Sequence, residues 1–494
     1  MRQSGYSARL ESGFPCGYPG SNPGAGAFKM ITILDCYTDE PSGLGVPPYL
    51  GTYPRYIAGS LDKPVYITID DLRLYQKYNS IEQKEAQNTN IRIYNLTKNH
   101  KDIKEILKKT TALIIILGSH TPGKYLSALP GTLKEILPII KNLKCEKIIT
   151  GPASYDMKEF DDFKINHFDF SYEEIKNYAI KGARIIEQIP DLKIIEIETS
   201  KGCPRRDHCI FCTEGLLEFK IRNPNDVLKE IQEFYKLGYR HFRIGKQSCF
   251  YSYPYASELL KQIRKLPDIK VLHIDNANPQ QIITEKGIKL TKDIVTYCTP
   301  GNIAALGVES FDEKVVKANC LNSDPETTLK AIEILNKYGK ERGENGMPKF
   351  LPGINLILGL KAETKETLEI NYDYLKQILD KKLLVRRINI RQLVKYPRTK
   401  IENEKLPKKN KKYFYNFREK IRKEIDYEML KLLTPKGTIL KDVRTEIHEG
   451  NVTFARQLGT YPLIIGIKQR LPLKQFYNVK ITGHMLRSIT GEII

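Results

Sequence analysis

No apolar run in this sequence approaches the ~20 residues that a membrane-spanning helix needs; the strongest, ALIIILG, is a strand-length segment. Membrane insertion is therefore excluded as the default. The opening residues lack an apolar core of secretory type, and no solenoid-length repeat runs through the chain. A disulfide framework is also missing. The nine cysteines (Cys16, Cys36, Cys145, Cys203, Cys209, Cys212, Cys249, Cys298 and Cys320) are odd in number, and three of them crowd into ten residues. Such a cluster reads as metal ligands in a reducing cytoplasm. Acid is scarce relative to base, with 58 Asp and Glu against 79 Lys and Arg, a net charge of +21.

What is present is ordinary globular material. The 494 residues are 41% hydrophobic and 28% charged, enough for two to four domains at roughly 100–200 residues each. The positive charge is concentrated: residues 381–422 hold 16 basic and 3 acidic side chains. In that stretch cations alternate with Tyr396, Tyr413, Phe414, Tyr415 and Phe417. Cations neutralise phosphates and aromatics stack on unpaired bases, so RNA or other nucleic acid is the expected partner.

Residues 1–29 are rich in Gly, Ser and Pro without periodicity. Gly20-Ser21-Asn22-Pro23-Gly24 back-translates to a sequence like the T-arm of a transfer-RNA gene. The expectation is a disordered leader, or one lying upstream of a true start at Met30. From 30 to 155, four β-branched runs (ITILD, PVYITID, ALIIILG, EKIITG) predict a buried parallel sheet of Rossmann-like type. Its ligand loops would be Pro41–Gly51 and the segment Gly118 to Gly123. After a linker over 156–189, strand and helix alternate from 190 to 400, with strands KIIEIET, HFRIG, VLHID, IAALGVE, GINLILG and LVRRINI. Six such units predict an α/β partial barrel. A basic helical segment over 401–447 and short alternating runs over 448–494, a small β-barrel of OB or TRAM type, complete the expected architecture.

The cysteine cluster carries the chemistry. In Gly202-Cys203-Pro-Arg-Arg-Asp-His208-Cys209-Ile-Phe211-Cys212, directly after a strand, three thiolates can wrap one iron–sulfur centre and leave a coordination position open. Zinc would want a fourth ligand, and His208 adjoins Cys209 too closely for comfortable joint ligation.

With these residues in view the sequence resembles the radical S-adenosylmethionine (SAM) superfamily, which places three cysteines after the first strand of a partial barrel and an aromatic, here Phe211, before the last. The superfamily spacing is three residues and then two; here it is five and then two. The resemblance implies a [4Fe–4S] cluster on Cys203, Cys209 and Cys212. It implies contact with the methionine amino group near Gly245, with the ribose at Leu306-Gly307-Val308-Glu309-Ser310, and with the adenine along Gly353 to Thr364, which includes Asn355 and Gly359. Gly353 and Gly359 would allow close backbone approach, and Glu309 would accept hydrogen bonds from ribose hydroxyls. SAM bound to the open iron would be cleaved to methionine and a 5′-deoxyadenosyl radical, given a reducing electron donor.

DCYTDEPSGLGVPPYLGTYPRYIAG and TFARQLGTYPLIIGI further resemble an uncharacterised, chiefly archaeal radical SAM family. The N-terminal domain resembles cobalamin-binding domains of radical methyltransferases, although the Asp-x-His-x-x-Gly cobalt motif is missing. A second cluster would need a third partner for Cys36 and Cys145. These two, with Cys249, Cys298 and Cys320, read as small hydrophobes. The leading expectation is a radical SAM enzyme acting on a macromolecule, RNA first. Cobalamin-dependent C-methylation of a protein or other substrate is the alternative, and a zinc-bearing nucleic-acid adaptor the non-enzymatic one.

Overall fold

The structure, a computed structural model, describes residues 30–37, 44–45, 47–78, 84–86, 91–93, 97–118, 130–407 and 411–494. The leader, parts of the Pro41–Gly51 turn and most of the Gly118–Gly123 loop lie outside the described residues. So do residues 408–410 of the basic stretch.

The N-terminal sheet is parallel, in the order Val65–Thr68, Met30–Asp35, Thr110–Ile116, Glu146–Thr150, Phe163–Ile165. Its runs are continuous because the sheet is covered: Ile33, Leu34, Leu113, Ile114 and Ile115 are all buried. The edge strand Phe163–Ile165 falls in the expected linker and is too short to show a period. Residues 156–189 are therefore not a linker. They also form helix Tyr172–Gly182, opened by a Ser171–Glu174 capping box. This helix meets helix Thr52–Gly59 at van der Waals distance through two glycines. A Cβ on Gly59 would lie 1.9 Å from the Tyr178 carbonyl oxygen, and one on Gly182 1.9 Å from that of Arg55.

The six expected barrel strands are present and parallel: Ile194–Glu198, His241–Lys246, Val271–Ile274 continuing as Asn276–Ala277, Asn302–Glu309, Phe350–Leu358 and Arg387–Gln392. The last begins three residues later than LVRRINI suggested. A further short strand, Tyr49–Leu50, pairs with Ile194–Ile195. The barrel thus takes its outermost strand from the region assigned to the first domain, and the expected boundary at 155 is not clean.

Strands Ile439–Glu449, Val452–Gln457, Ile464–Ile467, Phe476–His484 and Ile489–Ile493 close into a small barrel. It starts inside the segment expected to be helical, whose helices end at Leu433. The long first strand carries charges on both faces and a register irregularity between Thr445 and Ile447, which hides its period. Its core residues Leu440, Val443, Ile465 and Val479 are continuous with Ile303, Met347 and Leu351, at and just before the amino ends of the larger barrel's strands. Arg444 pairs with Asp191 at 2.6 Å, and Gln457 donates to the Asn345 carbonyl at 2.8 Å. The small barrel is the floor of the large one. Among the described residues no helix is long and apolar enough to cross a membrane.

Candidate functional site

The first barrel strand ends at Glu198, and the chain then makes a closed loop. Ser200–Lys201 pairs antiparallel with Lys220–Ile221, pinching residues 202–219 into one excursion that contains all three cysteines. Gly202 opens it at φ +74°, where a Cβ would lie 2.7 Å from the Glu218 carbonyl. The loop is tied on three sides: Ser248 Oγ donates to Gly202 O (2.8 Å), Ile210 N to Asn319 O (3.1 Å) and Ile401 N to Ile210 O (3.0 Å). Arg205, in the two-residue expansion between the first cysteines, donates to Cys209 Sγ at 3.2 Å and to the carbonyls of Cys320 and Leu321 at 3.1 and 3.0 Å.

Burial pushes the Cys209 thiol up to about 12, against the pull of Arg205; Cys212 and Glu309 add to the rise. Burial also raises Cys212, with a smaller push from Cys203. The three sulfurs therefore feel one another in a low-dielectric loop, where bound metal would replace their protons. Among the described residues no three His, Cys, Asp or Glu side chains converge tightly enough to share one metal ion. Three thiolates are the donor set that a [4Fe–4S] cubane takes, each on its own iron. His208 does not complete a zinc set, because its Nε2 lies 3.3 Å from the Cys203 carbonyl oxygen. The donor set fits a three-thiolate cluster.

Facing this loop is the carboxyl end of strand Asn302–Glu309. A register break between Gly307 and Glu309 turns the carboxylate inward, and Glu309 takes φ +62°. Glu309 Oε2 is buried without a hydrogen-bond partner. Burial pushes this carboxyl up to about 8, with Arg391 pulling it down. A Cβ on Gly307 would lie 3.0 Å from Glu309 Oε1 and 3.2 Å from Asn322 Nδ2. Asn322 donates to the Gly307 carbonyl (2.8 Å), while its own Oδ1 is a second buried acceptor without a partner. On the neighbouring strands the amides of Asn355 and Asn389 meet at 3.1 Å, and with its oxygen turned to the guanidinium Asn389 accepts from Arg391 Nε at 2.7 Å.

Among the glycines and polar residues expected to touch SAM, the structure separates several roles. Glu309, Gly307 and Asn355 line the mouth. Gly359 is required by its own backbone (φ +93°), its N–H donating to Glu363 at 2.7 Å, rather than by a crowded surface. Gly353 sits where a Cβ would come within 3.0 Å of Ile303. Gly245 occupies a strand irregularity, and a Cβ there would lie 2.5 Å from Arg243 Nε, so it makes room for that guanidinium. Ser310 faces the turn: Asp312 N donates to its hydroxyl (3.1 Å), and its hydroxyl lies 3.4 Å from Asn371. Asn322, Arg391 and Asn389 were missed. The signal for the last two was the alternation Arg387-Asn389-Arg391, which puts three polar residues on one strand face.

The N-terminal sheet presents its carboxyl edge to the same mouth. Tyr155, just after strand Glu146–Thr150, stacks on His167 (centroids 4.3 Å apart) and carries Arg398, from the loop after the last barrel strand, 5.0 Å above its ring. Lys201 donates to the Phe170 carbonyl at 3.0 Å. At the opposite end the small barrel sends Thr460 and Tyr461 into the lumen. Thr460 lies 3.0 Å from His273 Nδ1, and Tyr461 donates to Asp275 at 2.9 Å. The basic stretch is only partly a surface. Arg386 donates to the Tyr461 carbonyl (2.6 Å), Arg387 stacks on the Tyr461 ring (4.8 Å), and Phe414 and Phe417 are buried. Cys36, Cys249 and Cys298 are buried, as small hydrophobes are, while Cys145 and Cys320 are half-buried.

The sequence model of the Radical SAM superfamily matches residues 197–375. An uncharacterised protein of Methanocaldococcus jannaschii is 43% identical, over 94% of this chain and 93% of its own length. One from Archaeoglobus fulgidus is 39% identical, over 93% and 89%. Among solved structures, the radical SAM methyltransferase TsrM from Kitasatospora setae, with cobalamin and a [4Fe–4S] cluster bound, is similar at TM-score 0.48. That likeness has 12% identity and covers 76% of this chain and 77% of that one. Residues 197–375 are thus a radical SAM domain, of the superfamily whose enzymes use a [4Fe–4S] cluster and S-adenosylmethionine, and the chain belongs to a family shared with these archaeal proteins.

Proposed function

We propose that Cys203, Cys209 and Cys212 hold a single [4Fe–4S] cluster, that SAM lies between their loop and the Gly307–Glu309 bend, and that the N-terminal sheet holds a corrinoid over the same mouth for methyl transfer to carbon. When bound, the cluster supplies the electron that cleaves SAM to methionine and a 5′-deoxyadenosyl radical. The chain's own residues position and enclose. Glu309 and Asn322 supply two unpartnered acceptors for hydroxyl donors, and Arg205 anchors the central thiolate to the loop beside it. The small barrel closes the lumen from below, which keeps solvent from a reactive intermediate.

The observation that carries the corrinoid is the meeting of two strand-end edges, Tyr155 and His167 with Arg398, and Phe170 with Lys201. In parallel sheets that edge is where ligands sit. Without the Asp-x-His-x-x-Gly motif, cobalt would receive no protein ligand from such a histidine. RNA modification remains the second reading, supported by the exposed Tyr413 and Tyr415 on helix Lys411–Ile421, with Arg418 4.9 Å from the Tyr415 ring. An external reductant and a reducing cytoplasm belong to either reading.

The test is anaerobic reconstitution of the full chain with iron, sulfide and hydroxocobalamin. About four irons per chain, 5′-deoxyadenosine formation that disappears in Cys209→Ala, and stoichiometric corrin retained on gel filtration are expected. Iron and SAM cleavage without corrin retention would remove the methyl-transfer half. Salt-dependent RNA binding lost in Tyr413→Ala/Tyr415→Ala would then put the RNA reading in its place.

A further inference from the structure

We infer that the barrel lumen beneath the SAM site receives an anionic group of the substrate, a carboxylate or a phosphate, on Arg387, with Arg391 above it. The inference rests on the radical SAM reading of the mouth and adds the chemical class of its substrate.

Arg387, Asn389 and Arg391 alternate along the last barrel strand and so share its lumenal face. Below them the floor is electrostatically matched. Arg243 bonds Glu196 at 2.5 Å and pairs with Asp275, and Asp275 also accepts from Tyr461 at 2.9 Å. Arg387 is different. Its guanidinium lies over the Tyr461 ring at 4.8 Å, and among the described residues no carboxylate stands within ion-pair distance of it. Asp426, from the π turn behind the strand, feels Arg387 only weakly, after Arg422, Arg487 and Arg386.

Arg387 is enclosed by protein, yet it keeps accessible surface. In the register Gly353 sits beside Arg387, and Ala305 beside Gly353. These two positions carry one methyl between them, and the Ile303 side chain closes over Gly353, 3.0 Å from where its Cβ would lie. A cation held away from bulk water without a counter-ion is costly, and burial holds Arg387 below its ordinary pKa. A planar guanidinium in such a place is geometrically suited to a carboxylate or phosphate.

The test uses the reconstituted full-length protein with SAM saturating, so that SAM's own carboxylate is already bound. Inorganic phosphate and propanoate are titrated calorimetrically into the wild type, Arg387→Gln and the surface control Lys412→Gln. At least one anion is expected to bind the wild type and the control alike, with affinity falling tenfold or more in Arg387→Gln; which anion binds separates phosphate from carboxylate. Equal binding by Arg387→Gln and wild type, or no binding by either, overturns the proposal. If Arg387→Gln does not fold, Ala305→Val decides instead, since it fills the space facing an intact Arg387 and must weaken binding. A SAM-induced change in the electron paramagnetic resonance of the reduced cluster is recorded in parallel. Its absence from the wild type would count against the SAM reading, whereas its presence without anion binding counts against this inference alone.

Discussion

Two ionic clusters sit on the same barrel, one against its first strand and one at the end of strand Asn302–Glu309, and they are built oppositely. On the outer side Glu230 receives Arg55 on one carboxylate oxygen and Arg222 on the other, all three side chains being sealed from solvent. Arg55 also donates to the Glu196 carbonyl of the first barrel strand, joining the Tyr49–Gly59 segment to the barrel. Burial alone would push the Glu230 carboxyl up, but Arg222 and Arg55 outweigh it and hold it below its ordinary value. At the mouth, Glu309 has one guanidinium nearby, an oxygen without a partner and a carboxyl raised to about 8. Residue types and burial are alike; the difference is completeness. A complete cluster fixes the fold, and an incomplete one leaves donors and acceptors for a ligand.

The largest expected effect tests the complete cluster. Glu230→Gln leaves two buried guanidiniums without a counter-charge, and breaking a buried pair from one side costs about 3–5 kcal/mol. Denaturant unfolding should show that loss. A change below about 1 kcal/mol would mean that solvent reaches the cluster and that it does not fix the fold. Glu309→Gln should do the reverse. Its stability at pH 7 should stay within about 0.5 kcal/mol of wild type, because the buried carboxyl is already largely neutral. SAM affinity should fall by up to about tenfold, since a hydrogen bond to a neutral group contributes about 0.5–1.5 kcal/mol and the amide retains part of it. A stability loss without an affinity loss would make Glu309 a structural residue.

The two carboxyls also predict opposite pH slopes. Glu309 holds its proton to about 8 when folded against an ordinary value of 4.5. Across that window the unfolded chain binds fewer protons, and stability falls as pH rises, by at most about 1.4 kcal/mol per pH unit. Glu230, held low, contributes stability above its ordinary value that is lost as pH falls through its folded value. Unfolding measured from pH 5 to 9 on wild type and Glu309→Gln should show the downward slope flatten in the variant. An unchanged slope would place the titrating group elsewhere, with Glu363 (raised to about 7 by burial) the next candidate.

The sequence made the strands legible wherever both faces are covered, because buried parallel strands leave continuous apolar runs. It made the cysteine loop legible because three thiols in ten residues have few other uses. It concealed what depends on distant partners. Nothing local marks Tyr49–Leu50 as a barrel strand, since its pairing partner lies some 145 positions away. The basic stretch looked like one nucleic-acid surface because composition does not say which side of a strand faces a lumen. Arg387 and Arg391 turned inward, while Tyr413 and Tyr415 stayed outside. Tyr461 was read as part of a separate small barrel, although its hydroxyl reaches Asp275 inside the larger one.

The smallest effect separates two explanations of one glycine. Close approach by a nucleoside would require Gly359 to lack a side chain only when SAM is bound, so Gly359→Ala would weaken SAM binding and leave the free protein's stability alone. The backbone argues otherwise. At φ +93° an L-residue is strained in every state of the folded chain, and the nearest atom to an added Cβ, on Leu393, is 3.7 Å away. Strain of that kind costs on the order of 1–2 kcal/mol, and it acts on the fold whether or not the cofactor is present. Gly359→Ala should therefore lower the unfolding free energy equally with and without SAM, and leave the SAM dissociation constant within about twofold of wild type. Gly307→Ala is the converse, because its added Cβ would meet Glu309 Oε1 at 3.0 Å rather than a forbidden backbone. Its penalty should appear in SAM affinity. If the two variants behave alike, the distinction between a glycine needed by the chain and a glycine needed by the site fails at this mouth.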